Sequence, residues 1–314
     1  MKYNLKSIRT KIRSKISTVG KSGERLGFYG EFGFFLVNWL PYLNYIKQQG
    51  IHLKTVGPVG SAPFYYFSDD HIELDCPHSA VSFGTKKGNA YIQTKIDEIL
   101  VAPCKSHSPN VSYHDIKFLC NKTHATPNRK NYCPPKIGGN DPSIAIFPEL
   151  KPDTYVVISN KTYVNWGIDM ENYFKADEVE RLIDLITSYN LHVVFNNYGD
   201  NDANDLTAEK AANKINANQK KGIYSAQEAY STDRTVKNEQ QIALLKNAKF
   251  LVSVQGGGSY LASIFGKPNY VLQRAGMDYN NLKTLSENYN TELRMFYHVD
   301  NLLETIEKTE LATR

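Results

Sequence analysis

Gln255, Gly256, Gly257, Gly258 and Ser259 are the consecutive residues of this sequence whose types come nearest to a chemical task. Three glycines in a row carry no Cβ, so their backbone N–H groups can approach a ligand closely, and Ser259 adds a hydroxyl donor. Where such a turn opens a helix it holds an anion, typically a phosphate, because the first N–H groups of a helix lack partners and the helix dipole is positive there. The alternative is a tight strand-to-helix turn in which glycine only relieves crowding. The flanks are those of a strand and a helix. Phe250 to Val254 is an apolar run without alternation, as a parallel strand buried on both faces requires. Ser259 to Phe265 predicts a helix with Ser259 near its N-cap, ended by Gly266 and Pro268.

Other clusters suggest other chemistry. Asp69, Asp70 and His71 set two carboxylates beside an imidazole, groups suited to general acid–base work. Asp200-Asn201-Asp202 has the spacing of a divalent-cation site, but its surroundings are so rich in Asn and Asp that composition alone yields the triplet. Cys76, Cys104, Cys120 and Cys133 fall in one 58-residue window, interleaved with His78, His107, His114 and His124. No CxxC pair is present and the spacings fit no common zinc finger, so free thiols are expected there, with neither a metal nor disulfides.

The elements that must position these groups follow from patterning. At 314 residues, 41% hydrophobic and 22% charged, the chain has length for two domains. It has no apolar run of the roughly 20 residues that cross a bilayer. No signal-peptide pattern opens it, so a cytoplasmic location is expected and the sequons at Asn110, Asn121 and Asn160 are read as chance. The net charge of +5 is unevenly placed. Residues 1–25 hold eight bases and one acid, leaving 29 bases against 31 acids elsewhere. Leu5, Ile8, Ile12, Ile16 and Val19 lie on one face of a helix in that basic segment. Residues 1–20 are therefore expected to lie on an anionic membrane surface, making the protein peripheral, or to pack their stripe on the protein body. No basic and aromatic pattern continues beyond it, so nucleic acid is not expected as a partner.

Residues 25–58 read as strand, glycine-bearing turn, helix and strand, the β-α-β opening of an α/β domain. Between 76 and 150 only 91–100 reads clearly as a helix, and the proline- and glycine-rich run 133–153 reads as a hinge. From Thr154 strands and helices alternate, with Val179, Leu182, Ile183 and Ile186 giving one helix its apolar face. This predicts a doubly wound parallel sheet whose ligand binds at the carboxyl ends of its strands. The expected domains are a basic helix over 1–25, an acceptor-side α/β domain over 26–150, a Rossmann-like domain over 151–280 and a helical region over 281–314.

Two Rossmann-like halves with a glycine turn late in the second resemble the GT-B superfamily of sugar-nucleotide glycosyltransferases. The segment NEQQIALLKNAKFLVSVQGGGSYLASIFGKPNYVL, 238–272, resembles the donor-binding part of that superfamily. GEFGFFLVNWLPYL, 30–43, is similar to the N-terminal loop of some polysaccharide and lipopolysaccharide transferases. SNKTYVNWGIDMENYF, 159–174, is similar to an Asn-Lys-Tyr, then Glu-Trp, pattern of related transferases, with Thr162 and Asn165 departing from it. The Asp-Thr-Gly turn of heptosyltransferases is replaced by Gln255 to Gly258, so the resemblance is to the superfamily and to no single family.

The resemblance implies two domains facing across a cleft, a nucleotide-sugar donor, a glycan or glycolipid acceptor, and no metal or other cofactor. It implies that Gln255, Gly256, Gly257, Gly258 and Ser259 hold the donor diphosphate. Lys161, just after a strand end, can place a charge on the same phosphates, or be a solvated surface lysine. Asn196, Asn197 and Tyr198 can meet the nucleoside, or simply end a strand. Arg274 is a further phosphate candidate. Glu31 is the expected catalytic base of an inverting transfer, its alternatives being an exposed carboxylate or a helix cap, with Asp69, Asp70 and His71 in reserve. A sugar-nucleotide-binding protein without activity and a hydrolysing epimerase share the architecture. A GT-A enzyme using the Asp200 triplet is a further alternative, while an oxidoreductase is disfavoured by the wrong glycine spacing in GFYGEFG.

Overall fold

The computed structural model describes residues 25–28, 33, 35–75, 105–106, 116–119, 131–137, 145–160, 173–197, 222–274 and 279–311. The basic segment before Arg25 and the helix expected over 91–100 lie outside them. Two compact units divide the chain, Met1–Lys136 and Ile137–Arg314. Residues ahead of 150 join the second unit, where the Phe147 ring packs on Tyr224 with centroids 4.8 Å apart.

Unit 1 is built on a five-stranded sheet in the order β4-β3-β2-β1-β5. Its strands are β1 (Arg25–Phe28), β2 (Lys54–Pro58), β3 (Asp70–Asp75), β4 (Lys105–Ser106) and β5 (Ile116–Leu119). Neighbours pair in parallel except β3 with β4. Arg25, expected at the end of the basic segment, opens β1 instead. The helix expected after β1 begins as a π-helical turn, Phe35–Trp39, and continues as α1, Leu40–Gln48. A π turn shifts the backbone ladder and leaves a carbonyl without its usual partner. Here the Tyr132 hydroxyl donates to Val37 O at 3.1 Å. Leu36, Val37, Leu40, Leu43 and Ile46 bury the apolar face of this element.

Unit 2 contains six parallel strands in the order β11-β10-β9-β6-β7-β8. They are β6 (Tyr155–Asn160), β7 (His192–Asn197), β8 (Ile223–Ser225), β9 (Phe250–Val254), β10 (Asn269–Leu272) and β11 (Leu293–Phe296). Counted within the unit the order is 3-2-1-4-5-6, that of dinucleotide-binding Rossmann sheets. The helices are α2 (Ala176–Ser188), α3 (Ala226–Ala229), α4 (Arg234–Asn247), α5 (Gly257–Ser263), α6 (Tyr279–Tyr289) and α7 (Val299–Ile306), which runs on into a π-helical turn, Glu307–Leu311.

Alternation along the strands sends side chains to two helical layers. Val156, Ile158, Val193, Phe195, Phe250 and Val252 pack against α2 and α7. Val179, Leu182, Ile183 and Ile186 line the buried face of α2, as their spacing predicts. Each such aliphatic side chain taken fully from water stabilises by about 1.5–3 kcal/mol. Tyr155, Val157 and Ser159 face the other layer, where the Tyr155 hydroxyl donates to Leu244 O of α4 at 2.7 Å. The region expected to be helical from 281 holds the edge strand β11 between two helices. All four of its residues are only half-buried, so no apolar run announces it.

Candidate active site

In a doubly wound sheet the crevice for a ligand opens where the strand order reverses, outside the carboxyl ends of the strands. In unit 2 the chain winds from β6 through β7 to β8, then returns to the other side of β6 as β9. The reversal lies between β6 and β9. Asn160 ends the first, and Gln255 to Ser259 follow the second. The glycine turn thus emerges at the reversal point.

The turn is locally determined. Gly256, at φ 148° and ψ −170°, caps α5 in a backbone region open almost only to glycine. Gly257, Gly258 and Ser259 are the first three helical residues, so the helix itself gives their N–H groups no partner. The helix begins two residues earlier than the sequence predicts, and this alters the role of Ser259. Its side chain is fully buried. Its hydroxyl accepts the Gly256 N–H at 3.1 Å and donates to Gly256 O at 2.7 Å. The hydroxyl expected to meet phosphate therefore stiffens the turn, leaving the N–H groups of Gly257 and Gly258 as the donors that the first turn of the helix does not use.

Asn269 fastens this cradle to the sheet. Its Nδ2 donates to Ser259 O at 3.1 Å and to Ser263 Oγ at 2.9 Å, while its Oδ1 accepts from Ser253 Oγ at 3.0 Å. Gln255 donates its N–H to Leu272 O at 3.1 Å, and its buried Oε1 has no partner.

At the end of β6, Asn160 acts as a clamp that the sequence reading does not foresee. Its Nδ2 donates to Phe174 O and its Oδ1 accepts from Phe174 N, both at 2.9 Å. The side chain is 2% exposed, so the asparagine of this sequon is itself buried. Arg274 secures the same segment, donating to Tyr173 O at 2.8 Å and pairing with Glu178. Glu178 also accepts the Lys175 N–H at 2.8 Å and so caps α2. Arg274, expected near phosphate, is thereby engaged with the start of α2. Asn197 closes β7 in register with Asn160. Its neighbour Asn196 is fully buried, with neither amide atom bonded.

Glu31, Lys161, Tyr198 and the Asp200 triplet lie outside the described residues, as do Cys76, Cys104 and Cys120. Cys133 forms no disulfide among the described residues, and its Sγ accepts from Asn44 Nδ2 at 2.9 Å. In unit 1 the strand order reverses between β1 and β5. The interval from Phe28 to Phe35, which holds Glu31, follows the carboxyl end of β1 at that reversal.

The reserve set Asp69, Asp70 and His71 sits at the opposite, amino end of β3. Asp69 pairs with Lys47 and accepts the Leu53 N–H at 2.7 Å. Asp70 pairs with Arg25. Both carboxyls are held below their usual range, chiefly by hydrogen bonds from Lys47 and Arg25 respectively. His71 lies in a chain of hydroxyls. Thr55 Oγ1 donates to Ser68 Oγ at 2.9 Å, and Ser68 Oγ donates to Leu53 O at 2.9 Å. With the Thr55 proton so used, His71 Nδ1 must donate to Thr55 at 2.8 Å and His71 Nε2 must accept from Ser61 Oγ at 3.1 Å. The neutral ring stacks on Tyr65 at 4.5 Å. Gly57 leaves the room, since a Cβ there would lie 2.3 Å from Ser61 Oγ. These three residues hold unit 1 together; they are corrected from reserve base to structural network.

No protein-family model matches the chain, and no curated protein matches it in sequence. Solved structures do match. A glycosyl transferase of family 9 from Veillonella parvula DSM 2008 is 10% identical, with 91% of this chain and 88% of that one covered and a TM-score of 0.51. The E. coli ADP-heptose LPS heptosyltransferase II is also 10% identical, with coverage of 91% and 98% and a TM-score of 0.51. A UDP-GlcNAc 2-epimerase from Methanocaldococcus jannaschii is 12% identical, with coverage of 93% and 72% and a TM-score of 0.39. The chain thus has an α/β fold of two units, one sheet parallel throughout and the other parallel but for the β3–β4 pair. Its fold is similar to those of the family 9 glycosyl transferase and the heptosyltransferase II.

Proposed function

We propose that this protein is a glycosyltransferase that moves a sugar from a nucleotide-sugar donor to a glycan or glycolipid acceptor, with inversion and without a metal. The observation that carries this reading is the glycine turn at the reversal point of a 3-2-1-4-5-6 sheet. The likeness in fold to a heptosyltransferase whose name includes ADP-heptose supports a nucleotide-sugar as donor. In the reaction the acceptor oxygen attacks the anomeric carbon while the bond from that carbon to the donor diphosphate breaks. Glu31 takes the acceptor proton. The departing diphosphate gathers charge, which the N–H groups of Gly257 and Gly258, the helix dipole and the Lys161 ammonium stabilise without a metal ion.

The test is a thermal-shift panel of nucleoside diphosphates and their sugars. One ligand at 100 times its Kd should stabilise the protein by about 2.7 kcal/mol. Gly257→Val sets a branched side chain where phosphate approaches and should abolish that shift while the ligand-free protein still melts cooperatively. An unchanged shift in the variant would remove the diphosphate from this turn. Free nucleoside diphosphate released from donor without any acceptor would favour a hydrolysing epimerase.

For the acceptor side, residues 1–20 recruit the enzyme to anionic lipid. Their deletion should end co-sedimentation with phosphatidylglycerol vesicles at low salt and leave transfer to a soluble acceptor intact. Equal sedimentation of full-length and shortened protein would show that the apolar stripe packs on protein.

A further inference from the structure

Asn196 is 0% exposed, yet neither Oδ1 nor Nδ2 has a hydrogen-bond partner. An enclosed carboxamide that satisfies neither its donor nor its acceptor makes the folded chain less stable than an apolar side chain of the same shape would. Its place in the sheet gives this a direction. Asn196 lies next to the carboxyl end of β7, level with Ser159 on β6, which is level with Ser253 on β9. In parallel strands residues in register share a face, so the three form one polar row across the reversal point. The row faces the layer of α5, because Ser253 is joined to that helix through Asn269. Two residues beyond Ser253 comes Gln255, whose Oε1 is likewise buried without a partner. Asn196 and Ser253 are two strand spacings apart, about 10 Å. The glycine turn closes one end of the row and the unpartnered carboxamide closes the other.

We infer that Asn196 reads the nucleobase of the donor and sets nucleotide preference, an inference that rests on the proposed nucleotide-sugar site. A carboxamide presents one acceptor beside one donor, the complement of a base edge that offers a donor next to an acceptor. Phosphate needs only donors, and an aliphatic group needs neither, whereas a base edge with a donor beside an acceptor meets both atoms of the carboxamide in one plane. Binding then supplies the two hydrogen bonds that folding omits, and the residue trades stability of the free protein for discrimination.

The experiment compares the full-length protein with Asn196→Leu, using calorimetric titration with ADP, UDP, GDP, CDP and inorganic pyrophosphate, and melting without ligand. The expected result has three parts. The Tm of the free variant rises, its affinity for the nucleotide that wild type prefers falls about tenfold or more, and the affinities for the four nucleotides converge. Pyrophosphate, which lacks a base, binds both proteins alike. Should the Leu side chain prevent folding, Asn196→Ala removes the same amide, and convergence of the four affinities remains the readout. An unchanged order of preference in a folded variant overturns the inference and assigns the amide to a buried water. A wild-type protein that binds none of the five probes fails the proposed function itself, a separate result that takes the inference with it.

Discussion

Glu31→Gln is expected to lower turnover by about 10² to 10⁴ with the affinity for donor little changed. The substitution keeps the size of the side chain and its hydrogen-bonding capacity but removes its ability to take a proton. The expectation rests on where the chain leaves β1. This strand has β2 on one side and β5 on the other, so its carboxyl end marks the strand reversal of unit 1. Glu31 follows Phe28 by three residues and precedes the π-helical turn at Phe35. Among acids near it in the sequence, Asp69 and Asp70 begin or precede β3 at the amino end and are paired with Lys47 and Arg25. Their engagement counts against either of them replacing Glu31 in the proposed role. The measurement is initial rates with purified donor and acceptor, together with the anomeric configuration of the product. Near-normal turnover in the variant, or retained configuration, excludes this role.

The second large effect is on stability towards acid. Burial, with the positive charge of Arg25 adding to it, pushes the His71 imidazole down to about 4, against 6.5 for the free side chain. Between those values the unfolded chain binds a proton that the folded chain does not, so stability must fall as pH falls. The contribution is complete above pH 6.5 and is lost progressively towards pH 4. At about 1.4 kcal/mol for each pH step, this amounts to about 3 kcal/mol. The pairs made by Asp69 and Asp70 titrate below the usual carboxylate range, so their loss lies at lower pH. Urea unfolding of wild type and His71→Gln from pH 7.5 to 4 separates the contributions. Glutamine can donate and accept but cannot charge, so the variant should start less stable and show a much flatter slope across this window. Parallel slopes would place the acid sensitivity elsewhere.

Local sequence makes some of this architecture legible. The run Phe250 to Val254 and the glycines after it define strand and turn without help from the remainder of the chain, because burial on both faces and the lack of Cβ are properties of the residues themselves. The spacing of Val179, Leu182, Ile183 and Ile186 does the same for α2. What stays hidden depends on pairing between distant segments. The alternative roles of Asp69, Asp70 and His71 turn on which end of β3 they occupy and on Arg25 and Lys47, 45 and 22 residues away from their partners. The hydroxyl of Ser259 suits phosphate equally well in the sequence, and only the start of α5 at Gly257 diverts it into the turn. The clamp of Asn160 is illegible for the same reason, since an asparagine at a strand end announces a turn and not a grip on a peptide unit 14 residues later.

That grip has a consequence for how new variants of this protein can arise or be made. Because one side chain ties the backbone at 174 directly to the end of β6, the chain departs and returns at a single anchored neck. The entropy of closing whatever lies between grows only slowly with its length, by about 0.6 kcal/mol per doubling. Changes of length between 162 and 172 are therefore expected to cost little in closure entropy while the sheet keeps its register. This makes the neck a splice point at which segments can be exchanged without redesign of the sheet beneath it.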